Sequence, residues 1–81
     1  MAYSGRCLIN SAGINSSDGR VHFSLKALDG AFDWTPFLAK QEHNHEVLAL
    51  AIAAMTSNSN VVIQTEQTTA WAEVWWFDLV K

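Results

Sequence analysis

The sequence predicts a mainly β domain with one helix, its strands and helix running β-β-β-α-β-β and closing into a small five-stranded barrel. Three observations predict it. The run Arg20 to Leu28 alternates strictly between apolar and polar residues. Asp18-Gly19 and Asp29-Gly30, both hairpin-type turn pairs, set that run off from its neighbours. A single alanine- and leucine-rich stretch carries helical spacing. With 81 residues, the whole chain (1–81) is expected to form one domain.

The first strand is expected over Gly5 to Ile14, with Cys7, Ile9 and Ile14 facing inward and Gly13 marking a bulge or bend. Asn15 to Gly19 is a turn cluster. The second strand, Arg20 to Leu28, puts Val21, Phe23 and Leu25 on one face and His22, Ser24 and Lys26 on the other. After Asp29-Gly30, Ala31 to Leu38 is expected as a third strand, which Pro36 confines to a sheet edge or ends early. The helix begins near Asn44 as N-cap, with Glu42 and Glu46 favouring the positive end of its dipole. Its apolar stripe is Val47, Leu48, Ala51, Ile52, Ala54 and Met55. Thr56 to Asn60 stops it. Asn60 to Glu66 is a fourth strand rich in β-branched residues.

The last strand, Ala70 to Lys81, holds three of the four tryptophans. Strict alternation puts Trp71, Trp75, Phe77 and Leu79 on one face and Ala72, Val74, Trp76 and Val80 on the other. A lone small domain has one core to offer, so the second apolar face is expected against another copy. Trp75, Trp76, Phe77 and Val74 are the candidate interface residues. This order is that of the oligonucleotide/oligosaccharide-binding (OB) barrel, and an α+β sheet with a helix across one face fits the same string.

Several segments carry a family resemblance: Gly19-Arg20-Val21-His22-Phe23-Ser24-Leu25, Phe32 to Phe37, Val47-Leu48-Ala49-Leu50-Ala51-Ile52, Val61-Val62-Ile63 and the closing Trp71 to Val80. In hydrophobic and turn pattern these resemble the B subunits of pertussis-like AB5 toxins. The resemblance implies an OB-fold, a ring-shaped pentamer with the helix lining its centre, and glycan binding. The chain departs from that family in having one cysteine, hence no intrachain disulfide, and no signal-peptide pattern at its N-terminus. No sugar-site residue transfers position by position.

Read on their own chemistry, few residues point to a site. Trp34 beside Asp33, and Trp71 after the Thr68-Thr69 turn, are candidate ligand-binding residues. An indole offers an apolar face to a sugar ring, and a nearby carboxylate accepts from its hydroxyls. The competing assignment is packing in the core or at an interface, where tryptophan is also enriched. His43 and His45 would need further ligands from Cys7, His22 or a carboxylate to hold a metal, so no metal site is expected. Cys7 reads as a small buried thiol. The acidic pairs Asp29/Asp33 and Glu73/Asp78 read as solvated residues, the latter on opposite strand faces. With no convergent titratable set, neither catalysis nor a cofactor is expected.

A net charge of −3 and dispersed Arg6, Arg20, Lys26, Lys40 and Lys81 argue against a nucleic-acid partner. Single-strand binding by an OB domain is therefore a third-ranked reading. No run reaches the length of a membrane span. Localisation is expected to be cytoplasmic if the N-terminus is native and secreted if a signal peptide has been removed. The chain is 49% hydrophobic and 16% charged, and a single cysteine rules out an internal disulfide. Self-association is thus the expected source of extra burial. Two functional readings lead: a non-enzymatic, ring-forming binding module for a glycan or partner protein, and a scaffolding homo-oligomer without a small ligand.

Overall fold

The computed structural model describes residues 2–80; Met1, and Lys81 at the end of the expected last strand, lie outside the described residues. Strands β1 (Tyr3–Ile14), β2 (Val21–Ala27) and β3 (Thr35–Ala39) precede a 3-10 turn (Gln41–His43) and helix α1 (Asn44–Ser57). Strands β4 (Asn60–Thr65) and β5 (Ala72–Val80) follow. The strands close in the order β1-β2-β3-β5-β4, with β4 returning to β1. The chain is therefore an OB-like barrel with its helix between the third and fourth strands.

Alternation in β2 survives intact: Val21, Phe23, Leu25 and Ala27 are buried. Val21, Phe23 and Leu25 meet Cys7, Phe37, Val61, Ile63 and Val74 in one core. Burying each large apolar side chain contributes about 1.5–3 kcal/mol. α1 caps this core with Val47, Ala51 and Ala54, spaced as one helical face. Ile52, expected in that stripe, is exposed, since the buried stripe is narrower than the apolar spacing.

Two bulges shape the barrel. In β1 the register passes from Ile9↔Leu25 to Ser11↔Ser24, leaving Asn10 as the extra residue. The bend expected at Gly13 thus falls at Asn10, and β1 pairs β4 through Tyr3–Cys7 and β2 through Cys7–Ile14. Gly13 pairs regularly with His22. Ile14, expected inward, pairs with buried Val21 but stands past the end of the core and is exposed.

The second bulge is in β5. Trp76 pairs with Gln64 and Val74 with Thr65, so Trp75 is extra. An extra residue resets the alternation. Val74, 1% exposed, and Phe77, three positions on, both reach the core. Phe77 meets Phe23 edge-on at 5.1 Å. The expectation that both residues face a neighbouring subunit is therefore corrected: they belong to this chain's own core. Trp75 and Trp76 point outward at 44% and 48% exposure. Glu73 and Asp78, expected on opposite faces, are both exposed for the same reason.

β3 starts at Thr35, later than its apolar run suggests, because local side-chain bonds compete for the backbone before it. Asp29 Oδ1 accepts from the Ala31 N–H at 2.9 Å, Asp33 Oδ1 from the Trp34 N–H at 2.9 Å, and the Thr35 hydroxyl donates to the Asp33 carbonyl at 2.6 Å. Pro36 pairs with Ser24 of β2 and sits one residue before the parallel pairing Phe37↔Ala72, at the end of the β3–β5 seam, where its carbonyl accepts from the Trp71 N–H. The end of a seam tolerates the ring's missing N–H.

Asn44 does not cap α1; His43 holds the N-cap position, without a side-chain cap bond. The Asn44 amide instead ties the helix to the β1–β2 turn. Its Nδ2–H donates to the Gly19 carbonyl at 2.6 Å, and its Oδ1 accepts from the Val21 N–H at 2.9 Å. At the other end Asn58 adopts φ +57°, and the Ser59 N–H bonds the Ala54 carbonyl at 2.9 Å. Both are standard ways of satisfying the last carbonyls.

Candidate functional site

The β1–β2 and β4–β5 loops flank the outer surface of β2 and β3, the region where OB barrels take their ligands. Here that region is a shallow cleft of about 340 Å³ lined by Asn15, Asp18, Arg20, His22, Leu38 and Trp71.

The β1–β2 loop is held by its own polar groups. Asn15 Oδ1 accepts from the N–H and hydroxyl of Ser17 at 2.9 and 2.8 Å. The Asn15 carbonyl accepts from the Gly19 N–H at 2.7 Å, with Gly19 at φ +72°. Asp18 Oδ1 accepts from the Arg20 N–H at 2.9 Å. Among the described residues, no protein hydrogen bond falls on Asp18 Oδ2 or Asn15 Nδ2, so an acceptor and a donor remain at the rim. Arg20 runs beneath: its Nη2–H groups reach the Ala39 carbonyl at 2.9 Å and Glu73 at 3.2 Å. Its Nε is buried and has no hydrogen-bond partner among the described residues.

Trp71 forms the opposite wall. Its indole is 57% exposed, yet its backbone is fixed. The residue sits at φ +66°, a left-handed conformation unfavourable for a bulky side chain, and its N–H donates to the Pro36 carbonyl at 2.7 Å. The His22 ring meets the indole edge to face, centroids 6.3 Å apart at 78°. Thr65, fully buried, anchors the base of the same loop through a hydroxyl within 3.0 Å of the Gln67 carbonyl and 2.9 Å of the Glu73 carbonyl.

Of the three residues expected to bind ligand, Trp71 lines this cleft and Asp33 and Trp34 do not. Asp33 faces Lys26 at 3.9 Å, and Trp34 is exposed in the bend before β3. Asn15, Asp18, Arg20, His22 and Leu38 complete the cleft without having been singled out. The signal available for them was topological: in an OB barrel the first hairpin turn and the loop before the last strand meet.

A second concavity, about 310 Å³, lies between α1 and β5, lined by Lys40, His43, Glu46, Val47 and Leu50 on one side and Val74 to Asp78 on the other. β3 ends at Ala39, whereas β5 runs on to Val80, so Trp76 to Val80 pair with β4 alone, with the extra residue Trp75 just before them. The Trp76 indole N–H donates to Asp78 at 2.9 Å.

Cys7 is fully buried, and desolvation pushes its thiol up to about 11, with a hydrogen bond from Tyr3 opposing and the Asp29 carboxylate adding to the rise. Burial also raises the Tyr3 phenol, reinforced by Cys7 and Asp29. A thiol held in its neutral form is a poor nucleophile. Among the described residues, no three His, Cys, Asp or Glu side chains converge as metal ligands, and no helix is long and apolar enough to cross a membrane. Comparison of the chain with protein-family models, with curated proteins and with solved structures gives no match.

Proposed function

We propose that the protein is a non-enzymatic binding module that takes a sugar ring of a glycan in the cleft between its two loops. The observation that carries this reading is Trp71: a solvent-exposed indole whose backbone is held in a strained conformation beside polar groups with unused hydrogen-bonding capacity. Strain retained at an exposed aromatic marks a position kept for contact rather than for packing. The indole supplies an apolar platform, Asp18 accepts from sugar hydroxyls, and Asn15 donates. Single-stranded nucleic acid stacks on such rings too, but it needs unengaged cations. The cleft's cation, Arg20, is engaged by Glu73 and the Ala39 carbonyl.

A glycan array read out with tryptophan fluorescence tests this reading. Binding that falls at least tenfold in Trp71→Ala, with the melting temperature unchanged, supports it. No hit on the array, or equal binding by Trp71→Ala, removes it.

A distinct observation favours self-association. The unpaired edge of β5 carries Trp75, Trp76 and Leu79, with Asp78 as its one charge among the described residues, and an exposed apolar edge is a template for another strand. We infer that a second copy of the chain covers this edge, and the ring of five implied by the family resemblance is one closed form of such an assembly. Light scattering after size-exclusion chromatography decides between them. Trp75→Asp or Trp76→Asp should shift an oligomer to folded monomer, since both rings lie outside the core. A wild-type monomer at 100 μM would end this second reading.

A further inference from the structure

We propose that His22 is a positioning residue for the Trp71 platform, and that Gly13 is glycine to let the His22 ring occupy that place. This deepens the sugar-binding reading and rests on it only for its affinity arm. His22 stands on the outer face of β2, paired with Gly13 on one side and Leu38 on the other. Its ring leans over Gly13: a Cβ built there would lie 3.1 Å from Cε1 and 3.2 Å from Nε2. That is closer than side-chain carbons ordinarily approach, so the ring would have to yield by a few tenths of an ångström. Leu38 lies on its other side in the cleft, and beyond it the ring meets the Trp71 indole edge to face.

Gly13 has no conformational reason to be glycine. It lies inside β1, regularly paired, and is absent from the positive-φ positions, where Gly19 and Gly30 appear. A glycine inside a strand weakens it relative to alanine, and such a glycine marks a close approach by another group. Here the approaching group is the imidazole. Trp71 is pinned at its backbone by the Pro36 carbonyl, and among the described residues the His22 ring is the aromatic neighbour of its side chain. Edge-to-face geometry is directional, so displacement of one ring reorients the other.

The experiment uses Gly13→Ala, His22→Ala and His22→Phe in the full chain labelled with 5-fluorotryptophan, the Trp71 fluorine signal being assigned by its loss in Trp71→Phe. Gly13→Ala should move and broaden the Trp71 signal while thermal stability stays equal or rises. His22→Ala should do the same, and His22→Phe, which restores an aromatic edge, should recover a narrow signal. Methyl glycosides of galactose, glucose and N-acetylglucosamine are then titrated, and Gly13→Ala should weaken whichever of them binds about three- to tenfold. If none binds wild type while the fluorine signal responds as described, the positioning role stands and the sugar reading falls. An unchanged Trp71 signal in both Gly13→Ala and His22→Ala overturns the positioning role. So does a His22→Phe signal as broad as that of His22→Ala.

Discussion

Replacing Thr65 with valine tests how the β4–β5 loop is held. The substitution keeps the branched shape in a site with no exposure and removes only the hydroxyl. That hydroxyl lies within hydrogen-bond distance of two carbonyls, Gln67 at 3.0 Å and Glu73 at 2.9 Å, and its single proton serves one at a time. Losing one net bond costs about 0.5–1.5 kcal/mol, and leaving a buried carbonyl underserved costs about 1–3 kcal/mol, so roughly 2 kcal/mol is expected. For a domain of this size each kcal/mol moves the melting temperature by about 4–8 °C, giving a fall of roughly 8–16 °C. Differential scanning calorimetry measures it. Thr65→Ser, which keeps the hydroxyl and loses a methyl, should cost only about 1 kcal/mol. A valine variant as stable as wild type, or a serine variant less stable than the valine one, would refute the view that the hydroxyl anchors the loop.

Other expectations follow from contacts already described. Asn44→Ala removes both bonds between α1 and the β1–β2 turn and should destabilise by about 1–3 kcal/mol, seen as a lower urea midpoint with an unchanged slope. Gly30→Ala should cost about 1–2 kcal/mol although nothing lies near the new methyl, because the residue sits at φ +84°; chemical denaturation checks it. Folding holds the Cys7 thiol neutral up to about pH 11, against about 9 unfolded. Its contribution is therefore complete below about pH 9 and lost as the pH rises toward 11, by about 3 kcal/mol at most. Cys7→Ala should flatten that part of the pH–stability curve, although Tyr3 adds a further loss in the same direction at higher pH. In the native protein, Cys7 should resist thiol reagents at pH 8.

Much of the barrel was legible because β2 alternates without interruption and α1 is rich in alanine and leucine. What was not legible is instructive. Trp75 is an inserted residue in β5, and no glycine or proline marks it; only the pairing of Val74 with Thr65 and Trp76 with Gln64 reveals it. Strict alternation therefore assigned Val74 and Phe77 to opposite faces and made an interface out of two core residues. Asn44 has the chemistry of a helix cap, yet the Gly19 carbonyl and Val21 N–H, brought near by the fold, outcompete the helix for its amide. Trp71 could be singled out from its turn context, but its partners come from a hairpin some fifty positions earlier. His22 looked like an ordinary outward residue of an amphipathic strand, and Gly13 looked like a bend.

The barrel is sealed between β3 and β5 by three parallel residue pairs, Phe37↔Ala72, Leu38↔Glu73 and Ala39↔Val74. Parallel pairing is slightly weaker per residue than antiparallel pairing, and this seam is also the shortest junction in the ring. It should be the first place the wall breathes, with amides there exchanging with solvent well before those of β1 and β2. Leu38 of the seam lines the cleft beside Trp71, while Val74 lines the groove beside α1. A molecule seated at either end has to share this strip of wall with the other. Occupancy of one should slow exchange along the strip, and so be felt at the far end without any residue having to travel between them.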